Sequence, residues 1–107
     1  MSPTTKSDTQ LESKFQADLV KELHLRFPGC IVLHNDSSYI QGIPDLLILL
    51  GNRWAALEVK ASLTSRLQPN QAYYVLEMNN MSYASVIAPE NMEEVLNEVA
   101  ITLGAAW

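Results

Sequence analysis

The chain has 107 residues, 48% of them apolar, and no stretch of apolar residues long enough to cross a membrane as a helix. That length fits one domain over residues 1–107, and the polar start without an apolar signal core points to a cytoplasmic, reducing setting. Seven basic against twelve acidic side chains give a formal net charge of -5, which argues against a basic nucleic-acid coat or membrane-surface peptide, and the lone Cys30 excludes an internal disulfide or a cysteine-rich zinc site.

Residues 1–7 read as frayed. Leu11, Phe15, Leu19 and Leu23 then recur every four residues, the helical apolar period, with Asp8 or Thr9 as cap and Pro28-Gly29 as stop. Cys30 to Leu33 is a short β-branched and apolar run, read as a strand. Asn35 to Gly42 is a polar loop. Asp45 to Leu50 is a continuous apolar run between Pro44 and Gly51, read as a central strand covered on both faces. Gly51-Asn52 is a Gly-first hairpin signal, and Arg53 to Lys60 returns as the partner strand. Pro69 opens a second helix through Gln71, Tyr74, Val75 and Met78. Ser82 to Ala88 is a further strand, and Pro89 opens a final helix with apolar Met92, Val95, Leu96, Val99 and Leu103. The expected fold is α/β, in the order α-β-β-β-α-β-α, with helices around one small mixed sheet.

The hairpin carries the most chemical information. A two-residue loop at Gly51-Asn52 pairs Leu50 with Arg53 and Leu47 with Ala56, which sets Asp45 opposite Glu58 on one face of the sheet. Lys60 emerges on that same face, two residues beyond Glu58. Two carboxylates about 5 Å apart repel by roughly 3 kcal/mol at an effective dielectric near 20. Either one of them keeps a proton or a hard divalent cation, Mg²⁺ or Mn²⁺, sits between them. The plainer alternative is a solvated pair at a strand end with Lys60 in an ordinary ion pair.

On the first helix, Glu12 falls near the middle of the apolar stripe, whereas Lys14, Asp18 and Lys21 lie opposite. An acid facing a core needs a partner; a metal is one, and escape to water at the helix end is another. Gln71 heads its helix's stripe, where it either holds a carboxylate, Lys60 or a phosphate or faces solvent. His24 reads as a surface residue, His34 as structural, and Cys30 as a buried inert thiol. Ser37, Ser38, Tyr39 and Gln41 offer hydroxyl and amide groups to a sugar–phosphate backbone, or form an ordinary solvated loop. Arg53, Lys60 and Arg66 outnumber Glu58 over 53–66, which allows a local positive surface for DNA despite the global sign.

Gly42-Ile43-Pro44-Asp45 and Glu58-Val59-Lys60, joined by the hairpin and accompanied by Glu12 and Gln71, resemble the signature of the PD-(D/E)xK nucleases. The closest likeness over about residues 11–88 is to stand-alone VRR-NUC domains of the phage type, with Holliday-junction resolvases as relatives. The resemblance implies a metal-dependent endonuclease hydrolysing DNA phosphodiester bonds, structure-selective on branched DNA such as Holliday junctions, active in DNA repair and homodimeric. Flaps, duplex ends, and a catalytically silent nucleic-acid-binding module are the alternatives. It assigns Asp45, Glu58, the Val59 carbonyl and Glu12 to Mg²⁺ or Mn²⁺, and Lys60 to the attacking water and the phosphate. Gln71 orients that lysine or the phosphate. Two departures stand out: the loop before Pro44-Asp45 carries no Arg or Lys, and Asn79-Asn80 replaces a glycine common after the Gln-bearing helix.

Overall fold

A computed structural model describes residues 7–105. Its elements are α1 (Asp8–Arg26), β1 (Ile31–His34), β2 (Leu46–Leu50), β3 (Arg53–Val59), α2 (Pro69–Met81), β4 (Tyr83–Ile87), a short 3₁₀ turn (Pro89–Asn91) and α3 (Met92–Leu103). This is the expected α/β order. Residues 1–6, expected to fray, lie outside the described part. Ser7 is not frayed: its hydroxyl accepts from the Gln10 N–H at 3.2 Å while Gln10 Oε1 accepts from the Ser7 N–H at 3.0 Å. The cap is therefore Ser7 rather than Asp8 or Thr9, with a capping box closed by Gln10 three residues on.

The four strands lie in the order β1-β2-β3-β4. Pairs β1/β2 and β2/β3 are antiparallel, while β3/β4 is parallel and joined through α2. The hairpin register is the expected one, Leu50 opposite Arg53, Leu49 opposite Trp54 and Leu47 opposite Ala56. Gly51 takes a positive φ of 61°, as a tight Gly-first turn demands. One face of the sheet presents Leu46, Ile48, Ala55, Leu57, Val59 and Ile87 to Leu19, Leu23 and Phe27 of α1 and to Val95, Leu96, Val99 and Leu103 of α3, forming the core. Arg26 ties the two helices together, bonding Glu22 at 2.8 Å and Glu93 at 2.6 Å.

Helix α2 covers the other face, over β3 and β4, where buried Ala56 and Ala84 let it approach. It leaves β1 and β2 largely uncovered on that face. Ile31 and Leu33 of β1 remain 56% and 43% exposed, and Leu47 and Leu49 of β2 are only half-buried. The expectation that β2 is covered on both faces is thus corrected: the crossover helix sits above the two strands it connects, β3 and β4, not above β2. Among the described residues no helix is long and apolar enough to cross a membrane.

Candidate active site

The acids meet at the end of the hairpin opposite its turn. Asp45 directly precedes β2, and its backbone carbonyl accepts from the Asn35 N–H at 2.8 Å, which prolongs the β1/β2 ladder by one step. Its side chain reaches across to the returning strand, where Oδ2 accepts from the Val59 N–H at 2.9 Å. Asn35 Nδ2 holds the preceding Pro44 carbonyl at 2.7 Å, so the approach to Asp45 is fixed from the β1 side as well.

Glu58 and Lys60 are the two buried charged residues among those described, with exposures of 2% and 7%. Gln71 from α2 joins them: its Nε2 donates to Glu58 Oε2 at 3.1 Å and its Oε1 accepts from Lys60 Nζ at 3.0 Å. Lys60 Nζ lies 3.6 Å from the same Glu58 oxygen. The other oxygen, Glu58 Oε1, is buried without a hydrogen-bond partner among the described residues. Burial first, and the neighbouring Asp45 charge second, push the Glu58 carboxyl up to about 8. A proton retained there can be shared with Asp45. Of the two ways out of the carboxylate repulsion, proton retention is therefore the one available to the protein by itself. A cation is the other.

Glu12 approaches from the first turns of α1. It is half-buried, and desolvation followed by the charge of Asp45 holds its carboxyl above the usual range, with Lys60 opposing. It thus shares the electrostatic field of the Asp45–Glu58–Lys60 site. Among the described residues no three His, Cys, Asp or Glu side chains converge closely enough to form a metal cage alone. Glu12 accordingly belongs to the outer ring of the site. The fit to a divalent ion rests on Asp45, the orphaned Glu58 oxygen and the adjoining Val59 carbonyl, a sparse set that suits Mg²⁺, which keeps several waters.

One helical turn beyond Glu12, Gln16 Nε2 lies 3.2 Å from Nδ1 of the exposed His34. His34 therefore borders the site from β1 with a structural partner. Cys30 is buried, with Sγ 3.8 Å from the Leu23 carbonyl and from His24 Nδ1, and burial raises its thiol. The inert reading of Cys30 fits. His24 is exposed as expected.

The candidate DNA contacts divide. Ser37, Ser38 and Gln41 line a groove that ends on Gln71, whereas Tyr39 faces a neighbouring hollow with Ile40 and Ile43. Arg66 is exposed in the connection between β3 and α2. Arg53 lies at the hairpin turn, at the far end of β3 from Glu58, where Nη1 donates to the Thr102 carbonyl at 3.3 Å near the C-terminus of α3. Lys60 is buried. The positive surface allowed by the sequence count does not assemble, because the three cations go to three different places. Sequence reasoning missed Gln68, whose backbone N–H also donates to Gln71 Oε1 at 2.9 Å and fixes that amide's orientation; a glutamine at the third position of a Pro-marked helix start is the available signal.

No family model, curated protein or solved structure matches the chain.

Proposed function

We propose that the chain is a metal-dependent DNA endonuclease of the PD-(D/E)xK type, most like a VRR-NUC nuclease. It hydrolyses phosphodiester bonds and selects branched DNA such as Holliday junctions. The observation that carries this reading is Glu58, a buried carboxyl with one oxygen unpartnered, next to Asp45 and within reach of a lysine held by Gln71. An oxygen without a partner in a dry site is costly, and beside Asp45 it calls for either a shared proton or a cation.

Asp45, Glu58 and the Val59 carbonyl would hold Mg²⁺ or Mn²⁺, which when bound acidifies a water and neutralises charge on phosphate. Gln71 bonds the Lys60 ammonium, and the Glu58 carboxyl lies 3.6 Å from it, so its remaining protons can bond the attacking oxygen or a non-bridging phosphate oxygen with little reorganisation. Gln71 keeps Lys60 and Glu58 in register, and the Val59 N–H aims Asp45. Glu12 adds negative potential that favours cation entry. A groove loop without Arg or Lys and the negative net charge place the burden of substrate affinity on the ion and on uncharged contacts.

A homodimer is the proposed working form. The uncovered sheet face, with Ile31 and Leu33 beside half-buried Leu47, Leu49 and Trp54, gives a second copy an uncharged apolar surface. A sedimentation mass of one chain at micromolar concentration would remove the dimer and leave the chemistry standing.

Labelled four-way junctions, flaps and linear duplexes, incubated with Mg²⁺ or with EDTA, test the function. Cleavage should require the cation, favour the junction and vanish in Lys60→Ala. Absence of cleavage on every substrate with both Mg²⁺ and Mn²⁺ overturns the proposal in favour of a silent nuclease-fold module.

A further inference from the structure

We infer that the groove ending on Gln71 is a nucleobase site, and that the DNA this chain cuts presents an unpaired or extruded nucleotide beside the scissile bond. The inference rests on the nuclease reading above and adds the substrate class to it. The groove encloses about 580 Å³ between the 36–43 loop and the first turn of α2, and its walls include Ser37, Ser38, Gln41, Gln68, Asn70 and Gln71. That volume falls within the range of small-molecule sites, roughly 300–1,000 Å³.

Its chemistry is selective. None of its eight lining residues carries a charge, although one of them, Gln71, bonds the two buried charged residues Glu58 and Lys60. Hydroxyls, amides and the first turn of α2 can also meet a phosphate oxygen, but a phosphate only accepts and would leave the amide and hydroxyl oxygens of the walls without donors. Amides and hydroxyls, each able to donate and accept, match the edge of a base instead. In a continuous duplex that edge is already paired and stacked, so only an unpaired or extruded base can enter.

The groove is also built rather than incidental. Asp36 Oδ1 accepts from the Ser38 N–H at 2.8 Å and from its hydroxyl at 2.6 Å, which folds the loop on itself. Gly42, at a φ of +91°, then seats the loop so tightly on α2 that a Cβ there would stand 2.4 Å from the Asn70 Cβ. A preformed wall loses little entropy on binding. Because Gln71 lines the groove and bonds both Glu58 and Lys60, a base lodged beside it lies next to the reacting centre.

Flap and junction DNAs with a fluorescent 2-aminopurine, or an abasic residue, at the unpaired position on either side of the cut bond test this. Binding in Ca²⁺, without cleavage, should change the 2-aminopurine emission. In Mg²⁺, kcat/KM should exceed that for the abasic substrate by about tenfold, the discrimination expected of one amide–base pairing. Gln41→Trp, which fills the groove, and the milder Asn70→Ala should bring that ratio towards one, with circular dichroism reporting the fold. Equal cleavage of base-bearing and abasic DNA by the unaltered protein, with unchanged emission, overturns the base site and leaves the nuclease intact. Failure to bind or cut any of these DNAs overturns both.

Discussion

Asp45 and Val59 stand fourteen positions apart, yet Asp45 Oδ2 accepts the Val59 N–H at 2.9 Å. The bond ties the residue before one strand to the last residue of its hairpin partner, and so aims the Asp45 carboxylate along the face that Glu58 occupies. Asn at 45 keeps an acceptor for that N–H and loses only the charge. Asp45→Asn should therefore stay folded while cleavage disappears. Because the Asp45 charge is one of the forces raising Glu58, the variant should also be more stable than the parent near pH 8. A denaturant midpoint at that pH that falls in the variant would contradict the charge-repulsion account.

Stability should depend on pH with an unusual sign. Glu58 keeps its proton in the folded chain up to about pH 8, whereas the unfolded side chain releases it near 4.5. Between those values the native state binds more protons than the unfolded state, so stability is greatest below the window, falls as pH rises through it, and levels off above. Glu12, also raised, adds to the same slope. The loss amounts to a few kcal/mol in order of magnitude. Saturating Mg²⁺ should flatten the decline, since it favours the ionised carboxylates. Melting curves at pH 5 and pH 8, with and without Mg²⁺, read both effects; a cation effect equal at the two pH values would speak against binding at Glu58.

Removal of Gln71 separates positioning from chemistry. Gln71→Ala leaves Glu58 without its hydrogen-bond donor and Lys60 without its acceptor, both in a buried setting. Stability should drop by about 1–3 kcal/mol, and cleavage by roughly tenfold to a hundredfold, the usual effect of losing such an outer partner. The loss should lie mainly in kcat, with metal affinity read by calorimetry changing less than in Glu58→Ala. Equal metal affinity losses in the two variants would make Gln71 a ligand-supporting residue rather than the one that positions Lys60.

The central hairpin and its acids were legible from the chain because their signals are local. Two turn residues set the register, and alternation by two then carries Asp45, Glu58 and Lys60 to one face. The helical order and Glu12's approach to the acids follow from periodicity in the same way. The Ser7 cap is a local signal too, with Gln10 three residues on, missed in favour of Asp8 or Thr9. What else escaped depends on distant partners: Arg53 is drawn to the end of α3, and β2 is left half-covered by where the crossover helix settles. The 36–43 loop carries no periodic signal, so neither its docking against α2 nor the groove it forms could be read from composition.

That docking makes the last prediction. Gly42 combines a positive φ with a close approach to Asn70, two separate reasons for glycine. Gly42→Ala meets both, and should destabilise by roughly 2–4 kcal/mol, the sum of left-handed strain and overpacking. Asn70→Gly removes the nearest obstructing atom, the Asn70 Cβ, but neither the Asn70 carbonyl group, which a Gly42 Cβ would also crowd at 2.8 and 3.0 Å, nor the backbone strain. The double variant should therefore recover only part of the loss, and the two substitutions should couple favourably in a double-mutant cycle. Additive losses would mean that the loop shifts away from α2 to admit the methyl group, and the groove beside Gln71 would then be open to rearrangement rather than preformed.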